Sequence, residues 1–477
     1  MHQRVRLKVL HQFVSYSSNR EPSVKTDASL TKQTVTLVRN MWNTSRNGSW
    51  VCHYDTLFLM RLGCLLLVAM VAAGQTTDED FHVSREHPRI LLTPQRLRLL
   101  KRERERKSPR WEQFETLIAG KAVMPEPTLA YGLYFQVTGD AGAAKTAGTG
   151  ATDLRSLALA YDWLPDYRSQ IEPKLKAALS ASQGISVDAV RSRALAAVVL
   201  DNDKVLEQIV RVWWRQQVAP ALKAGKRVLS NAEVYPMLEL MHVIRDNLNI
   251  DLREDARLYF RDFATSRILS YYPATFPAPE NDFHIPFGPV DLKIAALTRI
   301  AELSLVAFDN NATDHQFVQG WLMHDHFVLK GAFGAPYEFL WANPYQPGLS
   351  YDHLPLTFYD PVGGRLFMRS SWEEDATWLG YVDGKAQVFR EGSPQPVQLD
   401  KPLTIGKAMI LTGKPAMRLE VQPDGPSKWF VVGLKPASLM NVEADDEELD
   451  EVKVDRGGIL QMDFKRKDRM VVRLKLR

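Results

Sequence analysis

The stretch "GRLFMRSSWEEDATWLGYVDGKAQVFREG", from Gly364 to Gly392, decides the fold of the second half of the chain. Apolar and polar residues alternate on both sides of an acidic turn, and this period of two is typical of β-strands. Similar short runs continue to Arg477, with turn residues between them. They are "PVQLDKPLTI", "KAMILTG", "MRLEVQ", "KWFVVGL", "GGILQMDFK" and "RMVVRLKLR". Many short strands at this spacing predict an antiparallel β-sandwich, with "VEADDEELDEVKVD" as an acidic surface loop.

The preceding part of the chain has a helical pattern. Thr93 and Pro94 fit the N-cap and first position of a helix. Between about residues 126 and 330, apolar residues recur every three or four positions, and short polar or Gly/Pro joints divide the segments. Residues 332–355 are rich in proline and predict a packed connection. The chain is therefore expected to be an α+β multidomain protein, with helices first and strands second.

Composition and charge exclude several classes of function. The chain has 477 residues, of which 45% are hydrophobic and 24% charged, as expected for a globular protein. A net charge of +4 is too small for this length to indicate a nucleic-acid partner. Both cysteines, Cys52 and Cys64, precede the main body, which excludes a disulfide framework and a thiolate metal cluster there.

The segment "MRLGCLLLVAMVAAGQ", Met60–Gln75, carries the strongest targeting signal. An arginine, a short apolar run and small residues before Gln75 are typical of a secretory signal peptide, and the run is short for a membrane span. We expect residues 60–74 to be this signal and residues 1–59 to be an over-extended or disordered N-terminal segment. The alternative is a short N-terminal anchor that follows a cytoplasmic tail. The mature protein would then be secreted or periplasmic, without stable membrane insertion.

Four stretches in order resemble the heparinase II/III-like family of polysaccharide lyases: "HPRILLTPQRL", "LALAYDWL", "RSRALAA" and "GRLFMRSSWEEDATWLG". The resemblance implies an incomplete (α/α) toroid over residues 85–345, followed by an antiparallel β-sandwich over residues 356–477. It also implies a partner that is an acidic polysaccharide or oligosaccharide, cleaved by β-elimination at a uronate without a cofactor.

The chain departs from the family pattern in its β-region. Active members carry a His-x-His-x-Asp segment after the strand that matches "RSSWEEDATWLG", whereas no histidine follows His353 here. Two alternatives therefore stand beside the lyase interpretation. One is a non-catalytic carbohydrate-binding or structural relative. The other is a glycoside hydrolase that pairs Glu233 with Glu280 or Asp282.

β-Elimination needs a group that neutralises the uronate carboxylate and a base that takes the C5 proton. Related lyases place an asparagine for the first task at a helix start, so "SNAEVY" points to Asn231 or Glu233, although a residue there also fits a helix N-cap. His284, in the loop "PAPENDFHIPFG", and Tyr345 are the candidate bases.

Substrate contacts are expected near the same helix start and at the domain junction "WANPYQPGLSYDHLP", because sugars stack on aromatic rings and need polar partners. Packing between the domains is the alternative role of this junction. The residues concerned are Tyr235, Trp341, Asn343, Tyr351, His353 and Arg369. No metal site is expected, because two-residue spacing puts His324 and His326 on different faces of a helix.

Overall fold

The computed structural model describes residues 79–83, 85–226, 229–273, 292–309, 311–324, 328–397, 399, 401–421, 427–445, 447–464 and 469–477. The predicted signal peptide and the segment before it lie outside these residues. The described helices are α1 (Pro94–Glu105), α2 (Pro109–Ala119), α3 (Pro127–Thr138), α4 (Ala141–Gly150), α5 (Leu154–Trp163), α6 (Arg168–Ala181), α7 (Val187–Val199), α8 (Asp203–Glu207), α9 (Ala219–Lys223), α10 (Asn231–Leu248), α11 (Arg257–Arg261), α12 (Phe263–Ser270), α13 (Leu292–Phe308), α14 (Thr313–His324) and α15 (Gly331–Trp341). A π-helical stretch, Gln208–Val218, joins α8 to α9.

Local signals set the ends of these helices. The Thr93 hydroxyl accepts a hydrogen bond from the Arg96 amide at 3.2 Å, and Pro94 follows at the first helical position, as predicted. Gly139 ends α3 in the left-handed conformation, with φ at 79°, which costs glycine no Cβ clash. None of the helices in the described part of the chain is both long and apolar enough to cross a membrane.

One series of helices forms the centre of the helical region. Contacts run from α3 to α5, then to α7, α10, α13 and α15, and α15 also contacts α3 and α2. Helices α7 and α10 are apolar around most of their circumference, and most of their residues are buried. A helix of this kind lies between other helices and does not face water on one side.

Helix α15 corrects the prediction that residues 332–355 form a non-helical connection. Pro336 lies inside the helix, where it lacks the N–H that would bond to the preceding turn. Eight of the eleven residues from Gly331 to Trp341 are nevertheless buried. Burial of this apolar segment against α2 and α13 therefore outweighs the local cost of the proline.

The C-terminal region forms three sheets. Its strands are β1 (Thr357–Asp360), β2 (Arg365–Arg369), β3 (Trp378–Val382), β4 (Lys385–Arg390), β5 (Ser393–Pro396), β6 (Leu403–Ile405), β7 (Ala408–Thr412), β8 (Ala416–Val421), β9 (Ser427–Val432), β10 (Leu439–Ala444), β11 (Glu447–Lys453), β12 (Leu460–Phe464) and β13 (Met470–Leu476). Sheet A has the order β1-β2-β3-β4-β5, sheet B has the order β12-β9-β7-β6, and sheet C has the order β11-β10-β13-β8. The chain as described is thus α+β.

Sheet B lies between the other two sheets. On one face of β9, Phe430 packs with Leu366 and Leu379 of sheet A. On its other face, Val431 packs with Met440 and Val472 of sheet C. A two-layer sandwich was predicted; the third layer is consistent with "KWFVVGL", because a continuous apolar run is typical of a strand buried on both faces.

The outer face of sheet A packs on the helical region. Trp378 donates a hydrogen bond through Nε1 to the Leu269 carbonyl at 2.8 Å, and the ring of Phe389 stacks on Tyr272 at 4.9 Å. Residues Asp80–Arg477 accordingly cluster as one compact unit. Residues 364–392 therefore supply three of the five strands in the sheet that joins strands to helices.

Two details of the strand prediction are wrong. Strands β7 and β9 pair in parallel, from Ala408 opposite Lys428 to Thr412 opposite Val432, because β8 between them belongs to sheet C. The predicted acidic loop is instead the hairpin β10–β11. Only one face of this edge hairpin needs apolar residues, and charged side chains on an edge strand discourage pairing with other chains.

Candidate functional site

A cavity of about 510 Å³ opens where α1, the second half of α10 and the end of α15 meet. We call it the Arg96 pocket. Its lining residues are Thr93, Gln95, Arg96, Arg98, Leu99, Arg102, His242, Arg245, Asp246, Ala307, Trp341, Asn343 and Tyr345. Its volume lies within the range of sites for small organic ligands, about 300–1,000 Å³.

The side chain of Arg96, on α1, contacts the end of α15, where Trp341 forms the floor of the pocket. Its guanidinium lies 4.4 Å from the ring centroid of Trp341, and Nη1 donates a hydrogen bond to the Leu340 carbonyl at 3.0 Å. Burial lowers the pKa of Arg96 to about 10, with the Asp246 charge acting in the opposite direction. The side chain therefore stays cationic at neutral pH, and a cation in a partly dehydrated site attracts an anion more strongly than one in water.

The pocket carries an excess of positive charge. Arginines 96, 98, 102 and 245 face it, and Asp246 is the one carboxylate among the described lining residues. Arg245 lies 3.3 Å from that carboxylate, so one arginine is already compensated. Arg98 and Arg102 are exposed and lie one turn apart on α1. The lining is therefore suited to an anionic ligand.

His242 forms part of the floor as a neutral imidazole. Burial lowers its pKa well below the usual value, and the charges of Arg96 and Arg245 lower it further. Its Nε2 lies 2.9 Å from the Ser304 carbonyl, which requires the proton on Nε2 and leaves Nδ1 as an acceptor. Its ring lies 4.6 Å from that of Trp341, so histidine and tryptophan form one aromatic surface.

Three of the residues predicted from sequence meet in this pocket. Trp341 is buried in the floor, Asn343 is half-buried, and the Tyr345 side chain is 48% exposed. The Asn343 side chain accepts a hydrogen bond from the Tyr345 amide at 3.2 Å, which fixes the turn carrying the tyrosine. Arg106 lies 5.3 Å from the Tyr345 ring. The pocket thus combines aromatic surface, an amide and several cations.

Asn231 and Glu233 lie at the opposite end of α10. Ser230 is the N-cap, and the Glu233 carboxylate accepts hydrogen bonds from its amide at 3.2 Å and its hydroxyl at 3.0 Å. The Asn231 side-chain oxygen lies 3.5 Å from Nη1 of Arg267, at the limit for a hydrogen bond. The capping interpretation of this helix start is therefore confirmed for Ser230.

Helix geometry separates these two candidates from Tyr345. Eleven residue steps of α10 lie between Asn231 and His242, and at 1.5 Å per residue they span about 16 Å. Because His242 and Tyr345 line the same pocket, one sugar ring cannot contact both Asn231 and that pocket. The described residues of the predicted catalytic set therefore lie near different ends of α10. His284, the other candidate base, lies outside the described residues.

Tyr235 lies between the two ends of α10, inside the core. It is 1% exposed, its hydroxyl donates to Glu239 at 3.1 Å, and Trp341 Nε1 donates to the same hydroxyl at 3.3 Å. Burial raises the pKa of Tyr235 well above its usual value, and the Glu239 charge adds to this rise. Tyr235 therefore supports the pocket floor from behind, as a neutral phenol.

The remaining predicted residues lie near a second cavity, of about 890 Å³. Tyr351 and Trp372 line it, with ring centroids 5.2 Å apart, and His353 is exposed at the end of a short 3₁₀ helix. Arg369 is 2% exposed and lies 4.5 Å from the Trp372 ring. Its Nε donates a hydrogen bond to the Ser371 carbonyl at 3.2 Å. This cavity is lined by the carboxylates of Asp352, Glu373, Glu374 and Asp375.

Sequence reasoning missed the cations and the imidazole of the Arg96 pocket. Arg102 belongs to the charged run "KRERERK", which is typical of a solvated helix face, and His242 is a single histidine in a helical segment. The available signal was the spacing of Arg96, Arg98 and Arg102 along an amphipathic helix. Within the described ranges, no group of three or more His, Cys, Asp or Glu side chains is arranged to hold a metal ion.

Comparisons with known proteins give only distant similarities. No family model matches the chain, and no curated protein matches it. A GH127 β-arabinofuranosidase is similar with 12% identity, a TM-score of 0.28 and coverage of 80% of this chain and 77% of that one. A glycoside hydrolase has 8% identity, a TM-score of 0.25 and coverage of 74% and 71%.

A mutant of the heparan sulfate lyase HepC from Pedobacter heparinus has 11% identity, a TM-score of 0.17 and coverage of 73% and 75%. By their names, these structural neighbours are enzymes that act on carbohydrates. TM-scores this low do not establish a shared fold, so what the Arg96 pocket can bind must be argued from its own residues.

Proposed function

We propose that the protein binds an acidic carbohydrate in the Arg96 pocket and cleaves it by β-elimination at a uronate. One observation carries the proposal: the exposed ring of Tyr345 and arginines that form no ion pair among the described residues line the same cavity of about 510 Å³. Pyranose faces stack on aromatic rings, and a carboxylate requires cationic or hydrogen-bonding partners. A neutral sugar would need the rings but not the excess charge.

The proposed chemistry uses the groups that face the pocket. Arg96 and Arg98 neutralise the uronate carboxylate, which stabilises the negative charge that develops when the C5 proton leaves. Tyr345 is the base in this proposal, with the Arg106 cation beside its ring. Its oxygen takes the C5 proton, a C4–C5 double bond forms as the C4–O4 bond breaks, and the same proton then passes to the departing O4. In this pocket the arginines take the task that the sequence suggested for Asn231 or Glu233. Side chains alone perform these steps, and no cofactor is required.

The architecture of the proposal is an incomplete toroid joined to a β-region. The order of contacts supports it, because the helix series α3, α5, α7, α10 and α13 leads to α15, which returns to α3. Membership of the heparinase II/III-like group and a secreted or periplasmic location belong to the same proposal. The location depends on residues 60–74, which lie outside the described residues.

Incubation of the purified chain with alginate, heparan sulfate and pectate tests the reaction. β-Elimination creates an unsaturated uronate that absorbs at about 232 nm, so a rising absorbance is the expected result. Reducing ends without that absorbance would favour the hydrolase alternative. Retention on an acidic-polysaccharide gel without either product would favour the non-catalytic alternative. No product and no retention would reject carbohydrate recognition altogether.

A further inference from the structure

A third cavity, of about 670 Å³, lies where the helical region meets sheet A. We call it the seam cavity. Its walls come from α9, α11, the start of α12, and the hairpin β1–β2, and it shares no lining residue with the Arg96 pocket. Its described lining residues are Leu222, Lys223, Gly225, Glu254, Arg257, Leu258, Tyr259, Arg261, Asp262, Ser266, Phe358, Tyr359, Asp360, Pro361, Val362, Gly363 and Arg365.

Most of the seam cavity's surface is apolar. Aromatic rings come from both regions, with Tyr259 on α11 and Phe358 and Tyr359 on β1. Two large apolar side chains in this lining remain in contact with water, since Leu258 is 68% exposed and Val362 is 42% exposed. Exposed apolar groups around a concave site gain free energy when a ligand with an apolar body covers them.

The charges around the seam cavity nearly cancel. Three arginines face it, and each forms an ion pair with a carboxylate that also faces it: Arg257 with Glu254, Arg261 with Asp262, and Arg365 with Asp360 at 2.9 Å. Lys223 remains. Among the described residues it forms no ion pair, and its side chain is exposed at the end of α9. One positive charge is therefore available to a ligand.

We propose that the seam cavity binds a small amphiphilic monocarboxylate, whose aromatic or branched apolar body fills the cavity and whose single carboxylate pairs with Lys223. The volume of about 670 Å³ is that of a site for a drug-sized molecule. The apolar walls offer a saccharide few polar partners, which distinguishes the seam cavity from the Arg96 pocket. This ligand would contact helices and strands at once and would stabilise their junction.

A pair of nearly isosteric probes tests the proposal. Phenylbutyrate and phenylbutanol share the apolar body, but only the first carries a carboxylate. We expect the intact chain to bind phenylbutyrate with about millimolar affinity, and to bind it about threefold to fivefold more tightly than phenylbutanol, as one exposed ion pair allows. Ligand-observed NMR titration measures both affinities.

Three variants locate the site. Lys223→Gln should remove the preference for phenylbutyrate and leave phenylbutanol binding unchanged, whereas Lys226→Gln, a matched change three residues away and outside the lining, should keep the preference. Leu258→Ser should weaken both probes, and its surface position should leave folding intact. Binding of neither probe, equal binding of both, or equal effects of the two lysine variants would overturn the proposal.

Discussion

The Arg155 guanidinium donates two hydrogen bonds to the buried Glu239 carboxylate, from Nε at 3.0 Å and from Nη2 at 2.7 Å. Arg191 donates a third, from Nη1 at 2.5 Å. Arg155 also bonds to Glu126, so the network links the start of α3 with α5, α7 and α10. Burial by itself raises the pKa of Glu239, but the two arginines outweigh it and hold that pKa at about 2.

Replacing Glu239 should therefore destabilise the protein strongly. Glu239→Gln removes the buried charge that both guanidinium groups share and leaves Arg155 with Glu126 and Arg191 with Asp188, which are more exposed to water. Removing one partner of a buried charge network costs about 3 kcal/mol of unfolding free energy. Glu172→Gln is the control, because water and salt screen the exposed pair of Glu172 with Lys176 and it should contribute little to stability. Urea denaturation measures both values. Equal effects of the two variants would show that the buried network is not a major source of stability.

The pKa of Glu338 is shifted in the opposite direction from that of Glu239, and this shift makes the stability of the protein depend on pH. Burial raises its pKa to about 7, while the Leu329 amide at 3.2 Å and Arg110 at 3.6 Å act in the opposite direction. Because the folded-state pKa exceeds the unfolded value, the folded state holds the extra proton. The stability that this proton gives the folded state is fully present below the unfolded-state pKa, and it is lost as the pH rises through about 7.

The difference in unfolding free energy between the wild-type protein and Glu338→Gln should therefore change with pH. Relative to the variant, the wild-type protein should lose about 3 kcal/mol of unfolding free energy between pH values of about 4 and about 8. Comparing the two proteins at each pH cancels other titrations, including that of His242. Glu374→Gln, an exposed change, should give a flat difference. A flat difference for Glu338→Gln as well would refute the prediction.

At the seam cavity, the backbone of Gly225 lies so close to the Val362 carbonyl that it leaves no room for a Cβ atom. Its φ is +61°, and a Cβ at this position would lie 1.8 Å from the Val362 carbonyl oxygen. Gly225→Ala should therefore displace the β1–β2 hairpin and cost more than about 2 kcal/mol. Gly139→Ala is the matched control, because Gly139 also has positive φ but has nothing within 4 Å of such a Cβ. It should cost only about 1 kcal/mol. Thermal unfolding measures both.

Much of the secondary structure was predictable because the signals are local. The Thr93 cap, the Gly139 stop and most strands after Arg365 follow from residues within a few positions of one another. The errors arose where distant packing decides. Pro336 lies in a helix because its neighbours are buried, and β7 pairs in parallel with β9 because β8 belongs to another sheet.

The candidate site was less predictable for the same reason. Trp341, Asn343 and Tyr345 stood out as an aromatic and polar cluster at the junction. Their cationic partners lie on α1, roughly 240 residues earlier, and no local pattern indicates that the two segments meet. Asn231 and Tyr345 both fitted the chemistry of a lyase, but only the three-dimensional path of α10 shows that they lie at different ends.

The charge of the Arg96 pocket provides the last prediction. Arg98 and Arg102 are exposed, so replacing both with glutamine should leave the fold intact while removing two cations from the lining. Because each exposed charge pair contributes up to about 1 kcal/mol, binding of an acidic oligosaccharide should weaken about tenfold, and its salt dependence should decrease. Affinity electrophoresis or calorimetry in low and high salt measures both effects.

Lys101→Gln with Lys145→Gln is the control, because it removes the same charge from exposed positions outside the pocket and should change binding little. If the two double variants bind alike, net charge and not the Arg96 pocket attracts the carbohydrate.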